Sequence, residues 1–156
     1  MIKSSTSSMA SSSSYGGPVC MMCCEPMDIF TVTPCNHNET CALCSFKRRE
    51  LYHRKDCPIC KADNQRLVFA PNTSKKFSEY NLATMPALGS VSFVDAEVRA
   101  SFLSMMSPIC PLQCGTSCKS LDELRNHLRT VHSRDYCEVC LKDRKVFLCD
   151  QLTFPL

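Results

Sequence analysis

The chain has 156 residues, of which fourteen are cysteine and nine proline, and its formal net charge is +3. Apolar stretches are short and interrupted by polar runs, which argues for several small modules over one large core. A charge this weak makes no case for nucleic acid by itself, no run of about 20 apolar residues is present to cross a membrane, and the start lacks the apolar centre of a secretory signal.

Residues 1–17 are serine-rich and read as a disordered tail, because they offer too little apolar surface to repay ordering. Lys3 is the only base before Cys20, too few for an organellar transit peptide. A reducing, cytoplasmic setting is expected, and there closely spaced cysteines read as metal ligands rather than disulfides.

Residues 18–63 crowd "CMMC", "CNH", "CALC" and "CPIC" around "PMDIFTVTP", whose alternation predicts a short strand. The ligand candidates in order are Cys20, Cys23, Cys35, His37, Cys41, Cys44, Cys57 and Cys60. Eight such residues make two tetrahedral zinc sites, since two intervening residues let a chain turn back and offer both thiolates to one ion. A site filled by four protein ligands leaves no position for water or substrate, so the metal is architectural. Cys24 falls outside the pattern, and His53, in the charged "ELYHRKD", reads as a solvated loop histidine.

Residues 64–107 contain no cysteine and read as a spacer. Within it "RLVFA" predicts a short strand, and "DAEVRASFLSMM" places Val98, Phe102 and Met105 or Met106 at helical spacing, the mark of a packing or connecting helix. Residues 108–133 hold Cys110, Cys114, His127 and His132 at intervals of three, twelve and four residues, which fit a two-cysteine, two-histidine ββα zinc finger. Ser120 is the candidate N-cap of its helix, with Glu123 completing a capping box. Cys118 reads as a small buried hydrophobe; the rival assignment through Cys114 and Cys118 leaves only eight residues before His127. Acids at the start of that helix make a single finger a poor DNA reader, so RNA or protein is the expected partner. Residues 134–156 open a further, incomplete finger with Cys137 and Cys140, for which Cys149 is a possible third ligand.

The order of the first four pairs, with one histidine in the second, resembles a RING finger. The resemblance implies a cross-brace: Cys20, Cys23, Cys41 and Cys44 on one zinc, Cys35, His37, Cys57 and Cys60 on the other. It also implies a groove for a ubiquitin-conjugating enzyme built from Met22, Pro58 and the helix "CSFKRREL", with Lys61 bridging enzyme and ubiquitin. The fold class expected is therefore small zinc-stabilised α+β modules: a cross-brace RING, a helical spacer and a ββα finger. Taken together, "CMMCCEPMDIFTVTPCNHNETCALC", "LVFA", "LRNHLRTVH" and "YCEVCLKDRKVFL" in this order resemble the eukaryotic RING and zinc-finger ubiquitin ligases that recognise collided ribosomes. That likeness implies an E3 ligase with ubiquitin, its conjugating enzyme and the ribosome or RNA as partners, and no membrane. Family members continue past the point where this sequence stops. A non-catalytic zinc-finger adaptor is the alternative.

Overall fold

A computed structural model describes residues 17–156, with the side chain of Cys149 excepted. The expected tail, apart from Gly17, lies outside the described residues.

The alternating segment after the first cysteine pair forms strand β1 (Phe30–Val32). Helix α1 (Ala42–Glu50) starts at the third pair, where Cys41 is the N-cap and its sulfur accepts from the Cys44 amide at 3.4 Å. Lys47, Arg48 and Arg49 fill the last turn, where the negative end of the helix favours cations. Strand β2 (Leu67–Ala70) is the predicted "LVFA", and strands β3 (Ala87–Leu88) and β4 (Val91–Phe93) follow. The four make one sheet in the order β1-β2-β4-β3. In it β1 runs antiparallel to β2 with Phe30 opposite Ala70, and β2 runs parallel to β4 with Leu67 opposite Val91. Strands β3 and β4 are a two-residue hairpin whose first turn residue, Gly89, has φ +58°, the left-handed start that a type II′ turn needs.

All four residues of β2 are buried, which explains its unbroken apolar run. Leu67 and Phe69 face the first core, while Val68 and Ala70 pack with Val32 in a small cluster on the opposite face of the sheet. Helix α2 (Ala96–Met105) closes the first core, its N-cap Asp95 accepting from the Val98 amide at 2.8 Å. Phe102 is fully buried at the centre, with ring centroids 5.2 Å from Phe46, 5.1 Å from Phe69 and 5.6 Å from Phe93. Of the two methionines, Met106 packs on this core and Met105 stays exposed.

The stretch read as a spacer is thus packed against the segment that carries the first eight ligand candidates. Ile29, Ala42 and Phe46 share a core with Phe69, Phe93, Val98 and Phe102. Arg49 adds a polar tie: it is buried and donates to the carbonyls of Asn64 and Gln65 and to the Ser90 hydroxyl. Zinc-binding loops alone leave Ile29 and Phe46 uncovered, and the sheet and α2 supply the surface that buries them, at about 1.5–3 kcal/mol for each large apolar side chain.

Beyond α2 a second core gathers Cys110, Cys118, Leu124, Leu128 and Tyr136. It joins helix α3 (Leu121–His132) to a small antiparallel sheet of β5 (Arg134–Tyr136) and β6 (Thr153–Pro155), with helix α4 (Glu138–Asp143) between them. The two strands expected before α3 contract to one antiparallel bridge, Ile109 with Ser117. Pro108 and Pro111 have no amide to extend the ladder. Ser120 caps α3 through the Glu123 amide at 3.2 Å, but the Glu123 carboxylate accepts from the Lys119 amide, so the box is closed one residue early.

Candidate metal centres

Three loops share one backbone design. In each, a bridge of two extended segments brackets the cysteines: Val19 with Pro26, Asp56 with Asp63, and Ile109 with Ser117. The first cysteine of each donates its amide across the bridge, Cys20 to Glu25, Cys57 to Ala62 and Cys110 to Thr116, at 2.8–3.0 Å. A residue with left-handed φ then closes the turn: Cys24 (60°), Lys61 (62°) and Gln113 (55°). In the first two loops the turn also aims an amide at sulfur, Met22 at Cys20 and Ile59 at Cys57, each at 3.4 Å. Such amides stabilise a thiolate, the form in which cysteine ligates metal.

The remaining ligand candidates are delivered by α1, the turn before it and α3. Cys41 lies against the first loop, its amide donating to the Cys20 sulfur at 3.2 Å, and Cys44 sits one helical turn on. Asn36 takes φ 62° between Cys35 and His37, turning both inward. From the middle of α3, His127 Nε2 lies 3.2 Å from the Cys114 sulfur, and from its last residue His132 Nε2 lies 3.5 Å from that of Cys110. The result is three groups of four: Cys20, Cys23, Cys41 and Cys44; Cys35, His37, Cys57 and Cys60; Cys110, Cys114, His127 and His132. In each group the ligand atoms lie within 4.8 Å of one another. The first two groups interleave along the chain.

These donor sets fit zinc, which takes sulfur and imidazole nitrogen in fours. His37 Nδ1 is buried without a hydrogen-bond partner in the second group, an orphaned lone pair that a metal would satisfy. Thiol acidity points the same way. Burial raises Cys20, but the amides of Cys41, Cys23 and Met22 outweigh it and bring the thiol down to about 7. Burial pushes Cys41 up to about 11, and burial with the adjacent Cys41 raises Cys44. One thiolate therefore forms readily while its neighbours resist a second like charge, a conflict that a divalent cation removes. In the second group burial opposes ionisation of Cys35, yet hydrogen bonds from Thr33 and Asn64 bring it to about 5.

Asn64 is the residue that reading the sequence misses: it is buried, and its Nδ2 donates to the Cys35 sulfur at 3.3 Å. No local pattern marks it, since it lies outside every cysteine pair. Met22 and Lys61 are exposed and Pro58 is half-buried. The Lys61 ammonium donates to the Pro58 carbonyl at 2.9 Å. Cys24 and His53 are exposed and belong to no ligand group, and Cys118 is buried in the second core. Cys137 and Cys140 face each other at the start of α4, and among the described residues no third ligand joins them. No helix among those residues is long and apolar enough to cross a membrane.

Residues 16–104 match the family model described as the ZNF598 RING finger domain, a span that takes in β2, β4 and most of α2. The chain is 28% identical to the E3 ubiquitin-protein ligase HEL2 of Saccharomyces cerevisiae over 93% of its own length and 23% of that protein. It is 28% identical to hel2 of Schizosaccharomyces pombe over 87% of this chain and 19% of the relative. The E3 ubiquitin-protein ligase ZNF598 of Danio rerio is 30% identical over 82% and 14%. The chain thus spans less than a quarter of the length of these relatives. No solved structure matches it.

Proposed function

The chain belongs to the ZNF598 RING-finger family, and from that premise we propose that it is a RING-type E3 ubiquitin ligase of ribosome-associated quality control. In this reading Cys20, Cys23, Cys41 and Cys44 hold one zinc and Cys35, His37, Cys57 and Cys60 a second, in a cross-brace. Cys110, Cys114, His127 and His132 hold a third in a finger of the ββα type. Zinc supplies folding free energy, about 10–16 kcal/mol for a structural site in finger peptides, and a closed coordination shell. Activity therefore comes from docking a conjugating enzyme whose ubiquitin thioester is exchanged for an amide bond to lysine.

The observation that supports docking is where the exposed apolar side chains lie. The tip of the first loop presents Met21 and Met22, and the tip of the second presents Ile59 beside Pro58. Single exposed apolar residues are ordinary, but a set on the tips of two similarly built loops makes a contact surface, and methionine adapts to a partner's shape. Lys61 is poised at its edge. The bond from its ammonium to the Pro58 carbonyl is exposed, so exchanging it for a carbonyl of enzyme or ubiquitin costs little. The acceptors in this reading are lysines of small-subunit ribosomal proteins on stalled or collided ribosomes in the cytoplasm, with the finger contributing to ribosome or RNA contact. The order of the motifs supports that target.

The test is discharge of ubiquitin from a panel of charged conjugating enzymes to free lysine by the zinc-loaded chain. Acceleration that Met22→Ala abolishes with zinc content unchanged is the expected outcome. No acceleration with any enzyme of the panel would overturn the ligase reading and leave a zinc-finger adaptor. Co-sedimentation of the full-length protein with collided ribosomes tests the target separately.

A further inference from the structure

Between the segment leading into β1 and the outer face of α2 runs a groove of 530 Å³. Its floor is apolar: Ile29 and Val98, mostly buried as part of the first core, and Met105, which is 43% exposed. Its rim is acidic, with Asp28 on one side and Asp95 and Glu97 on the other. Beyond Ile29 and Met105 it borders the first metal group, on the side of Cys23, Cys41 and Cys44, where Glu25 adds a fourth carboxylate.

None of these carboxylates is ion-paired among the described residues, and the side chains of Glu25, Asp28 and Glu97 have no partner there at all. Asp95 uses one oxygen to cap α2. The cation at the far end, Lys47, pairs with Asp150. Four unpaired acids around an apolar floor, on a chain whose net charge is +3, form a local negative field that repels phosphate and anionic lipid and attracts cations. The space admits one or two side chains, and a methionine wall lets them settle.

We infer that this groove binds a lysine- or arginine-rich segment of another protein, seating one apolar side chain on Ile29, Val98 and Met105 while the flanking cations meet Asp28, Asp95, Glu97 and Glu25. Its contacts are distinct from Met22, Pro58 and Lys61, and it does not rest on the ligase reading. The inference is tested by fluorescence anisotropy of the zinc-loaded chain with a labelled lysine-rich decapeptide carrying one central leucine. Binding that weakens about tenfold in Asp28→Lys and again in Glu97→Lys is expected, since each change replaces an attraction by a repulsion. Met105→Ser, or glycine in place of the leucine, weakens it as well, while Asp122→Asn on α3 leaves it unchanged. All three changed groove positions are exposed, and zinc content with circular dichroism confirms the fold of each variant. Equal binding of a peptide with glutamates for lysines, or indifference to the groove variants, would overturn the inference. So would a dimer of the free chain that Met105→Ser dissociates, which would make a second copy the occupant, or a single-stranded RNA that competes from the groove itself.

Discussion

At the scale of single residues, the second metal group depends on a side chain that is not a ligand. The Asn64 amide reaches the Cys35 sulfur at 3.3 Å, while its own Oδ1 is buried without a partner. A buried orphan oxygen costs free energy, so the residue stays only because its donor is used. Asn64→Leu keeps the volume and removes the donor, and the expected outcome is that the second group binds zinc about 10–100-fold more weakly and releases it faster to a chelator, as for other outer hydrogen bonds to metal ligands. Cobalt(II) replacement followed during chelation checks this, because four-sulfur and three-sulfur, one-nitrogen sites absorb at different wavelengths. The first group, with no contact to Asn64, keeps its rate. The CxxC pairs among the candidate ligands are legible in the sequence because such a pair is a local geometric device: two intervening residues suffice to build the turn. Asn64 is not, since its role exists only when the chain after Cys60 folds back 29 residues onto Cys35.

At the scale of elements, the same division between local and distant decides what the sequence revealed. β1, β2, α2 and the capped helix α3 were readable from alternation, period and the Ser120 cap. That β2 pairs in parallel with β4, and that α2 packs on α1, depends on Phe46, Phe69, Phe93 and Phe102 meeting from four separate segments, and a spacer was expected instead. Phe102→Ala therefore costs about 3–5 kcal/mol, the range for a buried phenylalanine whose cavity cannot collapse, even with zinc saturating. Thermal melting in excess zinc checks it; an unchanged midpoint would mean that the metal loops fold without this core. Helix α3 is tied to β5 differently. The Arg125 guanidinium, at 2.9 Å, and that of Arg129 hold the Asp135 carboxyl below the usual carboxylate range despite its burial. A carboxyl depressed in the folded state contributes stability that is complete above the unfolded value, about 3.9, and is lost only as pH falls through the folded one. Between about pH 5 and 8 the contribution is constant, so stability lost there belongs to protonation of metal ligands. Asp135→Asn is accordingly less stable by a fixed amount across this window, about 1–3 kcal/mol for hydrogen bonds to a charged group. Urea melts over a pH series measure it, and a difference that grew or shrank between pH 5 and 8 would contradict the assignment.

At the scale of the whole molecule, the two cores are joined by the segment that follows α4. Phe147 stacks on Phe46 of α1 with ring centroids 5.9 Å apart, Lys47 sits 5.7 Å above the Phe147 ring and pairs with Asp150, and Lys145 approaches the Tyr52 ring. Each contact is modest alone, an aromatic pair contributing about 0.5–1.5 kcal/mol and an exposed ion pair less. Their placement matters more, because they connect residues about a hundred positions apart and belong to none of the three metal groups. Phe147 is half-buried in the RING core, while the chain on either side of it, α4 and β6, belongs to the second core. Coupling of this size makes the first and second cores unfold together when their separate stabilities are close, and apart when they are not. Phe147→Ala removes the aromatic bridge and the surface under Lys47 without touching a ligand. Calorimetry of the zinc-saturated protein is expected to resolve one transition in the parent chain and two in the variant, with the second-core transition moving most. Two transitions of unchanged midpoint in both proteins would show that the bridge carries no energy between the cores. A single shifted transition in the variant would place the coupling elsewhere, in the short connection from α2 through Pro108 to Cys110.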